Sequence, residues 1–519
     1  MSTTYNAAAW LVDRRITAGD GDRVAIRHDG RSTTYAEVQQ DVWRAQNALA
    51  ALGIAAGDRV AMVVNDEPAF VSWFLGCIRS GVAAVPLSTM LTPRELAAIV
   101  ADSGARALVV SSQYDGCIDT VADATATLEH AVVLGDAPGG TGPLRVHSWS
   151  GFDDRSEAPV ADTTADSIAF WLYSSGTTGV PKGAMHRHAS LEATAETFGR
   201  TVLEITPDDR CLSVAKLFFA YGLGNSMTFP FSVGATTVLE PRRPTPDSVA
   251  RLLADERPTL FFASPGFVAS LLDANIPPER FESVRLAVTA GEALPAELHR
   301  RFRTHIGRPV LDGIGTTEAL HMFMSNRADD ERPGTSGTPV AGYEVRILDD
   351  DGDDVTDADV PGKLHVRGPS IAAGYWQRPD VTAATFVDEW LRTGDVYSRT
   401  RDGAYRFLGR NNDMIKCSGM WVSPAEVESV LVEHPAVLEA AVVGDRTPDG
   451  LETTVAFVVP RAGHEIDVAS IDVHCRERMA AFKRPRRVIA VGELPKTATG
   501  KVRRFALRDV LSRDRTDVS

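Results

Sequence analysis

The sequence predicts an α/β protein with a large N-terminal domain of open sheets, which includes a small β-rich subdomain, and a small α+β C-terminal domain. Strand and helix patterns alternate through the first part of the chain, as is typical of open sheets covered by helices. A turn-rich stretch separates this part from a shorter mixed one near the C-terminus. The chain has 519 residues, more than one hydrophobic core supports, so at least two domains are expected.

The alternation is clearest near the start of the chain. A β-branched run predicts a strand within Asp58–Val64, and apolar periodicity predicts a helix at Phe70–Arg79. The short apolar runs Val82–Pro86 and Ala107–Val110 predict further buried strands. Between them, a Thr-Pro-Arg-Glu capping box with proline at the first helical position predicts a helix at Thr92–Ser103.

Patterns in the second half of the chain predict the subdomain and the domain boundary. Short strand and turn patterns dominate Lys363–Gly394, which predicts the β-rich part. A Gly-Arg-Asn-Asn-Asp turn at Gly409–Asp413 then interrupts the pattern and marks a boundary. Beyond it the sequence predicts a helix at Ser423–Glu433 and strands at Ala440–Val443 and Thr453–Val459.

Composition and charge exclude several classes of protein. The net charge of −15 argues against nucleic acid and anionic membranes as partners, because both require a basic surface. No signal peptide is visible at the start of the chain, and the longest apolar stretch, Val71–Met90, is broken by Arg79 and Pro86. The scattered cysteines read as reduced thiols, so we expect a cytoplasmic protein.

The segment Tyr173–Gly183 has the composition of a phosphate-binding loop. It follows the apolar strand candidate Ile168–Leu172 and holds four small hydroxyl residues, three glycines and one lysine in eleven positions. Glycines allow backbone N–H groups to approach a phosphate, hydroxyls donate hydrogen bonds, and lysine supplies positive charge. The spacing is not that of a P-loop NTPase. Taken alone, the segment also fits an ordinary Ser/Gly-rich turn.

This segment resembles the signature loop of the adenylate-forming superfamily, which includes acyl-CoA synthetases, adenylation domains of peptide synthetases and beetle luciferase. Five further motifs of that superfamily follow in order and extend the resemblance over essentially the whole chain: Ala290–Pro295, Asp312–Glu318, Arg392–Asp395, Gly409–Glu428 and Leu494–Lys501. Three segments are most similar to the benzoate-CoA ligase group: Tyr5–Arg14, Lys216–Asn225 and Glu318–Phe323.

The resemblance implies an ATP-dependent acid:CoA ligase. Such an enzyme converts an acid and ATP to an acyl-adenylate and pyrophosphate, and then transfers the acyl group to coenzyme A with release of AMP. It implies ATP, Mg²⁺ and coenzyme A as cofactors or co-substrates, an aromatic or bulkier cyclic acid as substrate, and leaves a homodimer open. An alternative is an adenylation enzyme that loads an acyl carrier protein. A luciferase-like oxidation and a non-catalytic nucleotide-binding protein are more distant alternatives.

The same resemblance assigns the nucleotide site. Lys501, Glu318 and Thr178 are the implied catalytic residues, and Glu318 with Thr178 is the implied Mg²⁺ site, with Thr317 as a nearby hydroxyl partner. One carboxylate suffices because Mg²⁺ takes its other ligands from phosphates and water. Asp395 would accept hydrogen bonds from the ribose hydroxyls, and Arg410 would contact ribose or phosphate. The full implied ATP/AMP set is Ser174, Ser175, Gly176, Thr177, Thr178, Gly179, Lys182, Gly291, Glu292, Ala293, Asp312, Gly313, Ile314, Gly315, Thr316, Thr317, Asp395, Phe407, Arg410 and Lys501.

By resemblance, the acyl pocket is lined by aromatic and small residues, and such walls suit the ring of a cyclic acid. The implied pocket residues are Phe219, Ala220, Tyr221, Gly266, Ala290, Gly291 and His321. The benzoate group usually reads Val-Pro-Thr-x-Tyr where this chain has Ser264–Val268. Glycine at 266 and valine at 268 would remove bulk if they face the pocket. This departure predicts a pocket wider than benzoate requires, able to admit a substituted or alicyclic acid.

The C-terminal part carries the implied coenzyme A site: Lys416, Ser418, Gly419, Phe482, Arg484 and Arg486. The superfamily rotates this part about a hinge two residues after the motif arginine, which implies a hinge at Asn412, an N-terminal domain of residues 1–411 and a mobile C-terminal domain of residues 412–519. The superfamily usually has Asp or Lys at the hinge, whereas here Asp413 follows it.

Overall fold

The computed structural model describes residues 4–136, 143–175, 181–411, 413–417, 420–446, 452–496 and 502–516. Several residues of the predicted site lie outside the described residues: Gly176, Thr177, Thr178, Gly179, Asn412, Ser418, Gly419 and Lys501. The structure describes the backbone of Ser175 and Lys416 but not their side chains.

The described strands are numbered in chain order. They are β1 (Val24–His28), β2 (Arg31–Thr34), β3 (Arg59–Val63), β4 (Ala83–Pro86), β5 (Ala107–Ser111), β6 (His130–Leu134), β7 (Arg145–Ser148), β8 (Ile168–Ser175), β9 (Pro181–Arg187), β10 (Arg210–Ser213), β11 (Thr236–Leu239), β12 (Leu260–Ala263), β13 (Leu286–Thr289), β14 (Val310–Gly315), β15 (Met322–Ser325), β16 (Thr338–Pro339), β17 (Glu344–Leu348), β18 (Gly362–Arg367), β19 (Phe386–Val387), β20 (Trp390–Arg399), β21 (Tyr405–Arg410), β22 (Ile415–Cys417), β23 (Met420–Val422), β24 (Val437–Arg446), β25 (Glu452–Pro460) and β26 (Arg487–Ala490).

The α-helices are numbered in the same way. They are α1 (Arg14–Thr17), α2 (Tyr35–Ala51), α3 (Pro68–Arg79), α4 (Pro93–Ser103), α5 (Ile118–Ala124), α6 (His188–Thr194), α7 (Ala220–Leu223), α8 (Phe229–Val233), α9 (Pro246–Glu256), α10 (Pro265–Asp273), α11 (Ala296–Ile306), α12 (Pro379–Thr385), α13 (Pro424–Val432), α14 (Val468–Arg478) and α15 (Arg504–Thr516).

Two large sheets form the body of the protein. One is seven-stranded, in the order β7-β6-β5-β3-β4-β8-β9, and the other is nine-stranded, in the order β16-β15-β14-β13-β12-β10-β11-β1-β2. Their central strands pair in parallel, while β8 with β9 and β14 with β15 pair antiparallel. The predicted alternation of strands and helices is confirmed, and so is the predicted capping box of α4 at Thr92 and Glu95.

The β-rich part and the C-terminal part are also present. β17, β18, β20 and β19 form an antiparallel sheet with β21 paired to β20, and this sheet contains the predicted short strands. After β21, the hairpin β22–β23 and the sheet β24-β25-β26 form a smaller α+β unit with α13, α14 and α15. The predicted fold class is confirmed, whereas a boundary between residues 411 and 412 stays a prediction.

A buried carboxylate connects the two large sheets near the site. Asp66 follows β3 and is 2% exposed, and its Oδ1 accepts a hydrogen bond of 3.0 Å from the backbone N–H of Leu217, which lies between β10 and α7. Burial raises the pKa of Asp66 to about 6, although nearby Lys216 and the Leu217 N–H oppose the rise. Glu67 and Glu240 add to it. Asp66 therefore fixes the segment that enters the predicted acyl pocket.

Helix composition also bears on membrane insertion. Across the described ranges, no helix combines the length and the apolar content needed to cross a membrane.

Asp66 generates a prediction about stability and pH. Because its pKa in the folded protein, about 6, exceeds the ordinary value in an unfolded chain, folding favours the protonated form. The free energy of unfolding should therefore gain about 1 kcal/mol from this group as the pH falls from about 7 to 5. Urea unfolding of wild type and Asp66→Asn across this range should show the gain in wild type alone. Parallel pH curves for the two proteins would contradict it, and the exposed Asp123→Asn serves as control.

Candidate active site

The two ends of the predicted phosphate loop are held by a strand pair. β8 and β9 run antiparallel, and Ser174 lies opposite Lys182 in their register. The loop between them therefore begins and ends at one point of the seven-stranded sheet. The hydroxyl of Ser174 points to Glu318 of the other large sheet and donates a hydrogen bond of 3.1 Å to its Oε1.

The carboxylate of Glu318 accepts hydrogen bonds from three hydroxyl groups. Besides the bond from Ser174, it accepts a hydrogen bond of 2.8 Å from the Tyr375 hydroxyl at Oε1 and one from the Thr316 hydroxyl at Oε2. Burial alone would raise the pKa of Glu318, but these hydroxyl donors together lower it below its usual value. The side chain is therefore an ionised carboxylate at neutral pH.

Lys182 lies close to this carboxylate through a shared neighbour. Its Nζ is 5.4 Å from the centre of the Tyr375 ring, within the range of a cation–π contact. Tyr375 thus contacts Glu318 with its hydroxyl and Lys182 with its ring. A negative group and a positive group are held at the same edge of the sheet, which is the pair that a metal-bound polyphosphate needs.

The two residues predicted to contact the ribose lie opposite each other on adjacent strands of the β-rich sheet. Asp395 on β20 and Arg410 on β21 are register partners, and Nε of Arg410 lies 2.9 Å from Oδ1 of Asp395. Arg410 also donates a hydrogen bond of 2.9 Å to the carbonyl of Thr393. Asp395 is only 3% exposed, whereas Arg410 is half-exposed. Phe407, also on β21, is half-buried and packs edge-on against Tyr397 at 5.5 Å.

The strand β14 and the loop after β13 form the predicted adenine side of the site. Asp312 is buried, accepts a hydrogen bond of 3.1 Å from the Thr289 hydroxyl, and has a pKa raised by burial. Gly291 has a φ of +97°, which favours glycine, and is exposed together with Ala293. Glu292 lies between them. This loop therefore presents backbone to the cleft rather than bulky side chains.

β14 and β15 approach each other closely at two glycines. A β-carbon at Gly313 would lie 2.5 Å from the Met324 carbonyl oxygen, and one at Gly315 would lie 2.5 Å from the His321 carbonyl oxygen. Only glycine fits at either position. Ile314 between them packs against the hydrophobic core. The turn that follows carries Thr316 and Glu318, so this close approach sets where the carboxylate lies.

The predicted acyl pocket is aromatic on three sides of His321. The centroid of its ring lies 4.6 Å from that of Phe229, 4.9 Å from Phe198 and 5.5 Å from Tyr221. The Tyr221 hydroxyl donates a hydrogen bond of 3.0 Å to the Val288 carbonyl, which ties α7 to β13. Ala290, next along from β13, is 5% exposed. These side chains form an apolar aromatic cluster around His321, called the aromatic slot below.

His321 is neutral in this environment. It is 3% exposed, and burial lowers its pKa to about 3. Its Nε2 lies 3.1 Å from Oδ1 of Asn225, so the Nε2–H tautomer donates to that amide. Gly224 makes this contact possible, because a β-carbon there would lie 2.4 Å from Cδ2 of His321.

The two phenylalanines before α7 have different surroundings, one in the core and one beside the predicted pocket. Phe218 is 5% exposed and belongs to the main hydrophobic core, whereas Phe219 and Ala220 are half-buried and pack against that core. Phe219 contacts Phe218 edge-on at 4.7 Å. Only the second phenylalanine is therefore placed to form a pocket wall.

Val268 faces a separate core, and Gly266 lies at the contact with the C-terminal part, so the predicted wider pocket stays a prediction. A β-carbon at Gly266 would lie 3.8 Å from Oε2 of Glu292 and 3.9 Å from both Oε1 of Glu439 and Nζ of Lys496. Val268 is fully buried in a separate core beneath α10 and α11. Gly266, the second residue of α10, lies beside Glu439 and Lys496 of the C-terminal part, whereas Val268 faces the core.

The described residues of the predicted coenzyme A site lie in the C-terminal part. The turn Ala481–Lys483 lies beside β23, the second strand of the hairpin β22–β23. Phe482 packs on the core of this part, and Arg484 is half-buried with its Nε 3.1 Å from the Met479 carbonyl. Arg486 is exposed. The structure thus gives an aromatic and two cations around the hairpin.

Sequence reasoning missed four contacts of the site. The Thr316 hydroxyl, and not that of Thr317, donates to Glu318, and the Thr317 carbonyl accepts a hydrogen bond of 2.9 Å from Nε2 of His186. Tyr375, Asn225 and Lys496 were not singled out. The Gly-Tyr-Trp sequence at 374–376 is a recognisable aromatic turn, but nothing in it indicates a partner more than fifty residues away.

Within the described ranges, no group of three or more metal-ligating side chains is present. Glu318 nevertheless fits a Mg²⁺ ion, because it is an ionised oxygen ligand surrounded by hydroxyls, and Mg²⁺ bound to phosphates needs only one or two protein carboxylates. Thr178, the other implied ligand, lies outside the described residues.

The fold and the site define a two-part nucleotide-binding enzyme with an aromatic slot next to a phosphate site. Residues 13–376 match the AMP-binding enzyme family, and residues 426–501 match the AMP-binding enzyme C-terminal domain. The chain therefore belongs to the AMP-binding enzyme family. This finding confirms the resemblance on which the site assignments rest.

Individual relatives match over nearly the whole chain. The benzoate–CoA ligase of Thauera aromatica is 44% identical over 97% of this chain and 96% of its own length. The 4-hydroxybenzoate–CoA/benzoate–CoA ligase of Rhodopseudomonas palustris is 42% identical over 98% of this chain and 94% of its own. The crystal structure of the anthranilate CoA ligase AuaEII with anthranoyl-AMP matches with a TM-score of 0.91 and 36% identity over 98% of both chains. These relatives bear out the predicted enzyme class, an acid–thiol ligase.

Gly224 generates a prediction about the aromatic slot. In Gly224→Ala the new methyl group must displace the His321 ring, since the built β-carbon lies only 2.4 Å from it. We expect kcat/KM for an aromatic acid to fall about tenfold, the scale of overpacking a core by a methyl group. The KM for ATP should stay within about twofold because the phosphate site is untouched. Equal losses for acid and ATP would contradict the assignment; Gly116→Ala, which has open space around its β-carbon, is the control.

Proposed function

We propose that this chain joins an aromatic carboxylic acid of the benzoate class to coenzyme A in two half-reactions. The acid and ATP give an acyl-adenylate and pyrophosphate, and the acyl-adenylate and coenzyme A give acyl-CoA and AMP. The observation that carries the proposal is the short segment from Glu318 to His321. Its first residue faces the phosphate-loop strands, and its last forms a wall of the aromatic slot. One segment therefore brings a polyphosphate and a ring-bearing acid together.

The first half-reaction requires cations because it brings two anions together. The carboxylate oxygen of the acid attacks the α-phosphorus, a C–O–P bond forms, and the bond to the β-phosphate oxygen breaks. Lys182 lies beside Glu318 and would meet the phosphates, and Arg410 next to Asp395 would meet ribose or phosphate. Mg²⁺ held by Glu318 and Thr178 would neutralise phosphate charge. Lys501 would supply the positive charge where the acid meets the α-phosphate.

The position of the C-terminal part supports this role for Lys501. Lys496, five residues before it in the chain, forms an ion pair of 2.7 Å with Glu439. Both groups lie within 3.9 Å of a β-carbon built on Gly266, as does Glu292 of the adenine-side loop. Lys496 also pairs with Val502 in an isolated antiparallel bridge, so both ends of the segment that contains Lys501 are held next to this contact. The described arrangement is therefore one that suits adenylation.

The second half-reaction needs a thiol in place of pyrophosphate. The sulfur attacks the acyl carbonyl, a thioester bond forms, and AMP leaves with the electron pair of the broken C–O bond. The hairpin β22–β23 and the turn with Phe482 would hold the coenzyme A, with Arg484 and Arg486 near its phosphates. These elements lie in the C-terminal part, away from the Lys496 contact. We therefore propose that residues 412–519 rotate as a domain about Asn412 to exchange the two surfaces.

The substrate class follows from the slot and from the relatives. Neutral His321, Tyr221 and Phe229 give a flat apolar slot, and the relatives carry the names of benzoate, hydroxybenzoate and anthranilate ligases. We propose benzoate or a small ring-substituted benzoate as the preferred substrate. Acyl-CoA formation from these acids would take place in the cytoplasm, where ATP and coenzyme A are available. A homodimer stays a prediction.

An acid panel tests the proposed function. The enzyme with ATP, Mg²⁺ and coenzyme A should convert benzoate, 4-hydroxybenzoate or 2-aminobenzoate to the acyl-CoA with kcat/KM at least about tenfold above octanoate. Acyl-CoA is measured by chromatography and pyrophosphate by a coupled assay. Pyrophosphate release without acyl-CoA would point to a carrier protein as acceptor. Preference for octanoate would contradict the aromatic class.

Lys501 tests the mechanism. In Lys501→Ala we expect benzoate-dependent ATP–pyrophosphate exchange to fall about a hundredfold or more, the scale of losing a charge-stabilising donor. Lys363→Ala, a lysine of β18 paired with Asp350, should retain full exchange. Exchange retained within about threefold in Lys501→Ala would count against the proposed role.

A further inference from the structure

Tyr375 is a buried residue with two contacts at the phosphate site. It is 7% exposed, its hydroxyl donates 2.8 Å to Oε1 of Glu318, and its ring lies 5.4 Å from Nζ of Lys182. Glu318 lies in the turn between β14 and β15 of the nine-stranded sheet, and Lys182 lies on β9 of the seven-stranded sheet. Tyr375 therefore fixes the separation between the proposed metal-binding carboxylate and the loop lysine.

The backbone on both sides of Tyr375 is attached to strand β9. Tyr375 pairs with Ala184 in an isolated antiparallel bridge, and the N–H of Trp376 donates 2.9 Å to the Gly183 carbonyl. The N–H of Tyr375 itself donates 2.9 Å to the hydroxyl of Thr382 at the start of α12. The ring of Tyr375 consequently moves with the strand that leaves the phosphate loop.

Asp102 anchors the same region from outside the site. It lies near the end of α4, and its two carboxylate oxygens accept hydrogen bonds of 2.7 Å from the Tyr173 hydroxyl and 2.5 Å from Nη2 of Arg378. Its backbone carbonyl accepts 3.1 Å from Nε1 of Trp376. Tyr173 lies on β8, which leads into the phosphate loop, while Trp376 and Arg378 follow Tyr375 in the chain.

Aromatic packing reinforces this anchor. Trp376 stacks on Trp171 of β8 with ring centroids 4.5 Å apart, and the guanidinium of Arg59 lies 5.6 Å from the Trp376 ring. A β-carbon at Gly183 would lie 3.1 Å from the Tyr173 ring, so β9 packs closely on that ring. α4, the phosphate-loop strands and the segment of Tyr375 thus form one rigid cluster around Asp102.

We propose that Tyr375 and Asp102 are positioning residues for the adenylation half-reaction. Tyr375 acts through Glu318 and Lys182, and Asp102 acts one step further out through Tyr173 and Arg378. The proposal rests on the proposed function, in which Glu318 and Lys182 bind the triphosphate and its metal. Since the β- and γ-phosphates have left before coenzyme A reacts, this cluster serves the first half-reaction and not the second.

The test separates the two half-reactions. Adenylation is followed as benzoate-dependent ATP–pyrophosphate exchange, and thioester formation is followed from synthetic benzoyl-AMP and coenzyme A without ATP or Mg²⁺. Tyr375→Phe should reduce kcat/KM for ATP in exchange by about ten- to a hundredfold, as expected for a lost hydrogen bond to a carboxylate. Thioester formation should stay within about twofold, which also shows that the variant is folded.

Asp102→Asn and Tyr173→Phe test the anchor. Both should shift exchange in the same direction as Tyr375→Phe but by less, about three- to tenfold, because they act through a neighbour. Asp119→Asn, an exposed carboxylate in the neighbouring helix α5, should leave both half-reactions unchanged.

A binding measurement gives a readout other than turnover. By calorimetry, Tyr375→Phe should weaken binding of ATP in the presence of Mg²⁺ by about tenfold and leave binding of AMP unchanged, because AMP lacks the outer phosphates. Equal losses in both half-reactions, equal losses for ATP and AMP, or full exchange activity in Tyr375→Phe would each overturn the proposal. Absence of exchange in the wild-type enzyme would instead overturn the proposed function.

Discussion

The structure depends on how one ionised carboxylate is held. Glu318 accepts hydroxyl donors from three separate segments, Ser174 on β8, Thr316 after β14, and Tyr375 beside β9. A buried carboxylate is costly unless hydrogen bonds compensate for its lost hydration. The two large sheets and the segment before α12 must therefore meet at this point in one relative position. The geometry of the phosphate site is a consequence of satisfying that charge.

The proposed nucleotide site and the proposed acid site share a single structural support. Gly313 and Gly315 let β14 and β15 approach so closely that the turn between them has little freedom. That turn carries Glu318 at one end and His321 at the other. His321 is fixed in turn by Asn225 and by the space that Gly224 leaves. The short segment from Glu318 to His321 therefore fixes the distance between the phosphate side and the aromatic slot.

Gly266 lies at the contact between the body and the C-terminal part. Its missing side chain leaves space where Glu292, Glu439 and Lys496 approach one another, at the contact between the body and the C-terminal part. A threonine there would compete for that space. The departure from the usual motif therefore lies at the contact between the body and the C-terminal part.

The sequence by itself determined the fold class and the order of the motifs, because short-range patterns such as the Thr92 capping box and glycine-rich turns encode local structure directly. It also predicted a set of residues for the nucleotide site. Tertiary structure alone decided which hydroxyls donate hydrogen bonds to Glu318, where Tyr375 lies and which residues surround Gly266. Those contacts join residues far apart in the chain. Their geometry depends on the packing of two sheets and a C-terminal part, and no local pattern records that packing.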